Sequence, residues 1–304
     1  MPSLDTGGQA VPQRKDPSNL SVYAFIVTLS FTCALVLSIL ASALKKPQEI
    51  ARELDRSKQM LLAARIYHEK GYFQIYKDGK YLPSKHDTKG LLVPGTVKDI
   101  ADNYDILKVY RKRFRPILVD AQGQRTSFQE VNIDENEYLL SHQKDGYARL
   151  PYKLVYEILP NSDIQQPEGY IIPINGFGVW DAIYGYLAIA PDGNTVIGIS
   201  WYDHKETPGL GAIISEPSWQ ALFYNKHLFQ GEITKDTNLE RVPIGISIVR
   251  GKVAEVLGDS PKALSAVDGI PGATLTGNGV SQAIKEVLNE YRPFLISLNK
   301  ESSS

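Results

Sequence analysis

Asp268-Gly269-Ile270-Pro271-Gly272-Ala273-Thr274-Leu275-Thr276-Gly277-Asn278-Gly279-Val280 runs straight into residues 281–298, where Ala283, Ile284, Val287, Leu288 and Tyr291 recur at helical spacing. Small residues and hydroxyls at a helix start leave the first backbone N–H groups and the positive end of the helix dipole facing outward, which suits a phosphate. Glycines let a ligand come close to the backbone. The stretch is not a nucleotide-triphosphate loop, because no Gly-Lys-Ser/Thr follows, nor a dinucleotide fingerprint, because Gly-x-Gly-x-x-Gly is absent. The plain alternative is a Gly-rich turn with Thr276, Asn278 or Ser281 as helix cap. Pro293 is expected to kink or end the closing helix.

Upstream, the pattern changes from helical to extended. Residues 170–174, 184–190, 195–202 and 244–250 read as strands, and Pro191-Asp192-Gly193-Asn194 reads as the tight turn of a hairpin. Residues 219–229 read as helical. Further back, 117–119 and 154–158 are short strand candidates, and Lys89-Gly90 and Pro94-Gly95 mark turns. Helices and strands do not alternate strictly, which predicts an α+β fold rather than a doubly wound sheet. The basic run Arg111, Lys112, Arg113, Arg115 is expected to be a solvated face.

Residues 21–44 contain no Asp, Glu, Lys or Arg. At ~1.5 Å per residue, a helix of that length covers ~36 Å, enough to cross a ~30 Å hydrocarbon core. A retained anchor is expected in preference to a cleaved signal, whose apolar run is usually shorter. Basic residues after the span (Lys45, Lys46, Arg52, Arg56, Lys58) outnumber those before it (Arg14, Lys15), a bias toward a cytoplasmic C-terminal part. The chain as a whole is too polar for many spans. Lys plus Arg is 33 and Asp plus Glu is 34, so the basic surplus of a nucleic-acid binder is missing. Cys33 is the only cysteine, and His68, His86, His142, His204 and His227 are scattered. A disulfide within the chain, a multi-thiolate centre and a histidine metal site are not expected, and no acid–base pair for catalysis stands out.

Two more stretches matter. Asn175-Gly176-Phe177-Gly178-Val179-Trp180 places glycines beside an aromatic against which a planar ring could lie, although a tryptophan is more often core. Glu206-Thr207-Pro208-Gly209-Leu210-Gly211 packs a carboxylate, a hydroxyl and exposed amides into one constrained turn, with His204 beside it.

Together the three stretches resemble a known family. DGIPGATLTGNGV is similar to the flavinylation motif Asp-x-x-Ser/Thr-Gly-Ala-Thr/Ser of covalent-FMN domains, and GFGVW and ETPGLG, in that order, resemble the C-type subunit of the bacterial sodium-translocating NADH:quinone oxidoreductase. PDGNTVIGISWYD, EPSWQALFYNKHLF and the single N-terminal anchor resemble it too. The likeness is close over 170–298 and loose over 67–169. It implies a single N-terminal transmembrane helix followed by a soluble FMN-binding domain. The expected parts are a tail at 1–20, the span at 21–44, a connecting helix at 45–66, a soluble region with an insertion at 67–169 and an FMN-binding core at 170–300.

The resemblance further implies that a flavin transferase joins FMN, through its phosphate, to the hydroxyl of Thr274. Asp268, Gly272 and Ala273 complete the motif, and Thr276 is a second hydroxyl ranked below Thr274. Trp180, Glu206, Thr207, Leu210 and Lys226 match positions lining the flavin ring. Pro271 departs from the pattern, which has Ser or Thr there. The implied role is an electron-relaying subunit among other membrane and soluble subunits, in the bacterial inner membrane with the flavin domain on the periplasmic side, against the basic-residue count. The alternatives are the flavin subunit of the related ferredoxin:NAD electron-transfer complex, and a membrane-anchored binding module without cofactor.

Overall fold

The computed structural model describes residues 19–162, 166–234 and 236–303. Arg14 and Lys15, on which the charge bias partly rests, lie outside them. The chain divides into two compact units, Met1–Arg52 and Glu53–Ser304. In the first, the described side chains of α1 (Asn19–Ala63) are exposed from Asn19 to Leu44, and Val22–Lys45 is long and apolar enough to cross a membrane. α1 runs on through Pro47 and stops at Ala63, so one helix covers the expected span and most of the expected connecting helix.

The second unit begins with the end of α1. β1 (Phe73–Lys77), β2 (Lys80–His86) and β3 (Leu92–Pro94) form a small antiparallel sheet. α2 (Asn103–Arg113) follows, started by a capping box between Asp102 and Asp105. A six-stranded antiparallel sheet holds β4 (Phe114–Val119), β5 (Arg125–Thr126), β6 (Lys153–Ile158), β7 (Gly169–Phe177), β8 (Ala182–Ile189) and β9 (Val196–Asp203), in the order β5-β4-β6-β7-β8-β9. α3 (Glu135–Ser141) lies in the connection between β5 and β6. The main sheet therefore joins residues from both sides of the expected 169/170 boundary.

Both faces of this sheet are covered. Ile172, Ile174, Leu187 and Trp201 pack in one core with Val280, Ile284, Leu288 and Tyr291 of the last helix. Their sequence neighbours Ile171, Tyr186 and Ala188 pack in a second core with Met60, Leu61, Ile106 and Val109. The period of two sends adjacent residues to opposite faces. With both faces buried, the strand reads as an unbroken apolar run rather than an alternation.

The expected hairpin is present. Asp192 caps its turn, its Oδ1 accepting from the N–H groups of Asn194 (2.9 Å) and Thr195 (2.8 Å). After β9, α4 (Pro217–Gln220) and a short 3-10 turn end the helical stretch at Phe223, six residues short of expectation; Asn225 takes φ +58° and the chain turns extended. β10 (Ser247–Ile248) is all that remains of the strand expected at 244–250, since Gly245 at φ +118° breaks it. α5 (Val253–Val256) follows, and β11 (Ala266–Val267) pairs with β10 in parallel.

The closing helix, α6 (Thr274–Ser303), starts seven residues before the expected 281 and passes through Pro293. Tyr291, Phe294, Leu295 and Leu298 are almost wholly buried around that proline. Their packing outweighs the ~3 kcal/mol that a helical proline costs. Across from it, Gly123 at φ +83° lies so close that a Cβ would sit 2.5 Å from Phe294 N and 2.7 Å from Pro293 O. Gly123→Ala is therefore expected to lower stability by about 2 kcal/mol, read as a lower melting temperature.

The basic run is not one solvated face. Arg113 is buried, donating to Leu159 O and Glu168 Oε2 (both 2.6 Å), where α2 passes directly into β4. Arg115 pairs with buried Glu157 at 2.7 Å.

Candidate functional site

Two Pro-Gly turns frame the site, and both have the same chemistry. In Ile270-Pro271-Gly272-Ala273, the Ala273 N–H donates to Ile270 O (3.0 Å) and Gly272 takes φ +76°. In Thr207-Pro208-Gly209-Leu210, the Leu210 N–H donates to Thr207 O (3.1 Å) and Gly209 takes φ +73°. Proline at the second position and a left-handed glycine at the third are what a type II turn requires. Pro271 thus fits the backbone it occupies. The turns approach each other: a Cβ on Gly272 would lie 3.1 Å from Leu210 Cδ2.

The first turn delivers the chain into α6 at Thr274. Ala273 supplies the first helical carbonyl, accepting from Gly277 N at 3.0 Å, and has no side-chain oxygen to cap the N–H groups that follow. Thr276, Asn278 and Ser281 lie inside the helix, so none is its N-cap. Ser281 Oγ instead donates to Gly277 O (2.9 Å) and accepts from Ile248 N (2.9 Å). The glycines that read as helix breakers allow close packing. A Cβ on Gly277 would lie 3.0 Å from Ile248 Cγ2, and one on Gly279 would collide with Phe177 O. Gly279→Ala is expected to push α6 off the 177–180 loop, costing about 2 kcal/mol in thermal melts and lowering any flavin load.

The two threonines differ sharply. Thr274 is exposed, whereas Thr276 is 2% exposed and donates its hydroxyl proton to Glu206 Oε2 at 2.5 Å. Glu206, itself 6% exposed, ties the three stretches together. Its Oε1 accepts from the N–H groups of Val179 (2.8 Å) and Trp180 (3.3 Å). Gly178 and Gly211 make room for it, since a Cβ on Gly211 would lie 2.5 Å from Oε2. His204 Nδ1 accepts from the Glu206 N–H at 3.3 Å and so supports the turn. Lys205 pairs with Asp181. That hydrogen bond, with one from the Ala182 N–H, holds the Asp181 carboxyl below the usual range.

Trp180 is 70% exposed, and its indole N–H donates to Thr207 Oγ1 at 3.2 Å. It is therefore not a core tryptophan. Leu210, Leu275, Phe177 and Val179 are also exposed large apolar residues. Sequence reasoning misses Leu275, Phe177 and Val179; the only signal they give is an apolar side chain inside a motif stretch.

Asp268 and Lys226 are employed differently. Asp268 Oδ1 accepts from Val253 N (2.8 Å) at the start of α5, and its carbonyl accepts from Trp219 Nε1 (3.1 Å). Lys226 Nζ donates to Ala263 O at 2.9 Å. Burial pushes its ammonium pKa down, with the nearby Asp268 opposing. The two hold the approach to the Ile270–Ala273 turn; these hydrogen bonds run to the loops around it rather than to Thr274 or Trp180.

Comparison with known proteins agrees with this geometry. The FMN-binding domain family matches residues 178–289, which contain Trp180, the 206–211 turn and Thr274. The C-type subunit of the Na(+)-translocating NADH-quinone reductase of Chlamydia pneumoniae is 41% identical over 293 residues, covering 91% of this chain and 92% of that protein. The same subunit of Pasteurella multocida is 30% identical over 284 residues, covering 90% and 92%. In fold, the chain is similar to the crystal structure of NqrC from Shewanella oneidensis, at a TM-score of 0.53 and 22% identity over 82% of this chain and 99% of that one. The α+β expectation, with one apolar N-terminal helix and a C-terminal FMN-binding domain, holds. The chain belongs to the family of C-type subunits of the Na(+)-translocating NADH-quinone reductase.

Proposed function

We propose that this chain is an electron-relaying flavin subunit of a sodium-pumping NADH:quinone reductase, with FMN esterified through its phosphate to Thr274. The observation that carries the reading is the contrast between the exposed hydroxyl of Thr274 and the buried, bonded hydroxyl of Thr276. The residues fit the group. A phosphate on Thr274 lies at the start of α6, beside backbone N–H groups and the positive dipole end. Trp180, Leu210 and Leu275 offer apolar surface for a planar ring, and Thr207 orients the indole. FMN supplies the redox chemistry when attached. The protein's part is placement: Glu206 fixes the ring-facing loop to the helix that bears the phosphate.

Partner subunits, a flavin transferase during maturation and a single-pass inner-membrane anchor complete the reading. The domain is placed on the periplasmic side. Protease added to spheroplasts is expected to digest the C-terminal domain; full protection contradicts that placement. Chain purified within its complex is expected to lose flavin absorbance when NADH is added. Chain that stays colourless after production with a flavin transferase refutes the function. Because Pro271 already suits its turn, Pro271→Thr is expected to leave flavin content unchanged, measured as absorbance per polypeptide.

A further inference from the structure

A cavity of about 720 Å³ opens between the end of α1, the strand β1 and the start of β9. It shares no lining residue with the flavin-site stretches. Its volume is that of a ligand pocket. Arg65, Lys77, Arg113 and Glu168 are the charged residues on its wall. Arg113 and Glu168 pair with each other at 2.6 Å, so the surplus charge is positive.

Arg65 is held unusually firmly. It takes φ +55°, a left-handed conformation that is unfavourable for a non-glycine residue. Its N–H donates to Leu62 O (2.9 Å) and its carbonyl accepts from Gln74 Nε2 (3.2 Å), which fixes the backbone. Its guanidinium lies 3.8 Å from the centre of the Tyr81 ring and 4.0 Å from that of Tyr224. Stacking occupies the faces of the fork and leaves its in-plane N–H donors free. Among the described residues, that guanidinium makes no hydrogen bond or ion pair.

On its outer side the strand beside it is paired over its first half, where Tyr67 bridges Phe73, and open beyond Gln74. The Gln74 N–H points away from β2 and donates to Ile66 O at 2.7 Å. By the alternation of an antiparallel ladder, the N–H of Tyr76 points to the same outer side, and Tyr76 lines the cavity. A preset carboxylate fork next to an open strand edge is the chemistry of strand addition by an extended peptide.

We infer that this cavity docks an extended acidic peptide segment of a neighbouring subunit, its carboxylate gripped by Arg65 and its backbone laid along the open end of β1 at Tyr76. The inference rests on the reading of the chain as one subunit of several. The test is a titration of the full chain in detergent with acetyl-Val-Glu-Val-Glu-Val-amide and, separately, with succinate. The peptide is expected to bind saturably and more tightly than succinate. Arg65→Lys keeps the charge but loses the fork, and is expected to weaken the peptide about tenfold. Lys77→Glu, on the exposed surface, is expected to weaken it severalfold and serves if Arg65→Lys does not fold. No saturable peptide binding, peptide binding unchanged in both variants, or binding of succinate alone overturns the proposal. Flavin content, read as absorbance in the same samples, reports on Thr274 independently, so failure here is distinct from failure of the flavin reading.

Discussion

Thr274→Ala, produced together with a flavin transferase, will run on a denaturing gel as a dark band where the unaltered chain fluoresces. The effect is expected to be complete, because the ester needs a hydroxyl and the neighbouring one is not available. Thr276 is 2% exposed and donates to Glu206, so it cannot replace Thr274 without that carboxylate losing its partner. Thr274→Ser keeps the hydroxyl and is expected to keep the fluorescent band. A Thr274→Ala band as bright as the parent's would move the attachment elsewhere and dismantle the site as described.

Glu206→Ala carries the largest expected loss of stability. The carboxylate is buried and accepts from Thr276, Val179 and Trp180. Hydrogen bonds to a charged group are worth about 1.5–3 kcal/mol each, and truncation leaves three donors without that acceptor. Partial relaxation and entry of water bring the expected loss to about 3 kcal/mol. At roughly 2–4 °C per kcal/mol for a domain of this size, the melting temperature falls by roughly 6–12 °C. Glu206→Gln keeps an acceptor oxygen and is expected to lose less than half as much. Flavin content should fall with Glu206→Ala, since the loop bearing Trp180 is no longer held to α6. A melting temperature within about 2 °C of the parent would show that Glu206 is not the tie between the three stretches.

How far the sequence reveals this molecule depends on the range of the interaction involved. The hairpin at 191–194 is legible because its geometry is set within a few residues by Asp192 and Gly193. The apolar span is legible from composition alone. The three site stretches are legible as chemistry, and their union through Glu206 is not. That carboxylate reaches Thr276 across 70 positions, and nothing local marks it as buried. The start of α6 is hidden for a related reason. Gly277 and Gly279 look like breakers, yet they are small because Ile248 and Phe177 press against the helix there. Pro293 misleads likewise, since the aromatic and aliphatic packing around it decides the matter.

The region before residue 170 is obscure for a different reason. Its strands β4, β5 and β6 complete a sheet whose other members, β7 to β9, come later in the chain. β6 is buried along its whole length and β4 along its second half, so only the apolar runs 154–158 and 117–119 read as strands, without the alternation that would fix their ends. Arg113 reads as one of four surface cations, although its burial is fixed by Glu168 and Leu159, far from it in sequence.

A covalent bond at one oxygen is the centre of the proposed chemistry, and mass spectrometry of the native chain reads it directly. The chain is isolated with its assembly, digested, and the peptide containing residues 274 and 276 is fragmented. That peptide is expected to carry FMN as a phosphoester on Thr274 and none on Thr276. An unmodified peptide, or flavin mapped to any other residue, contradicts it.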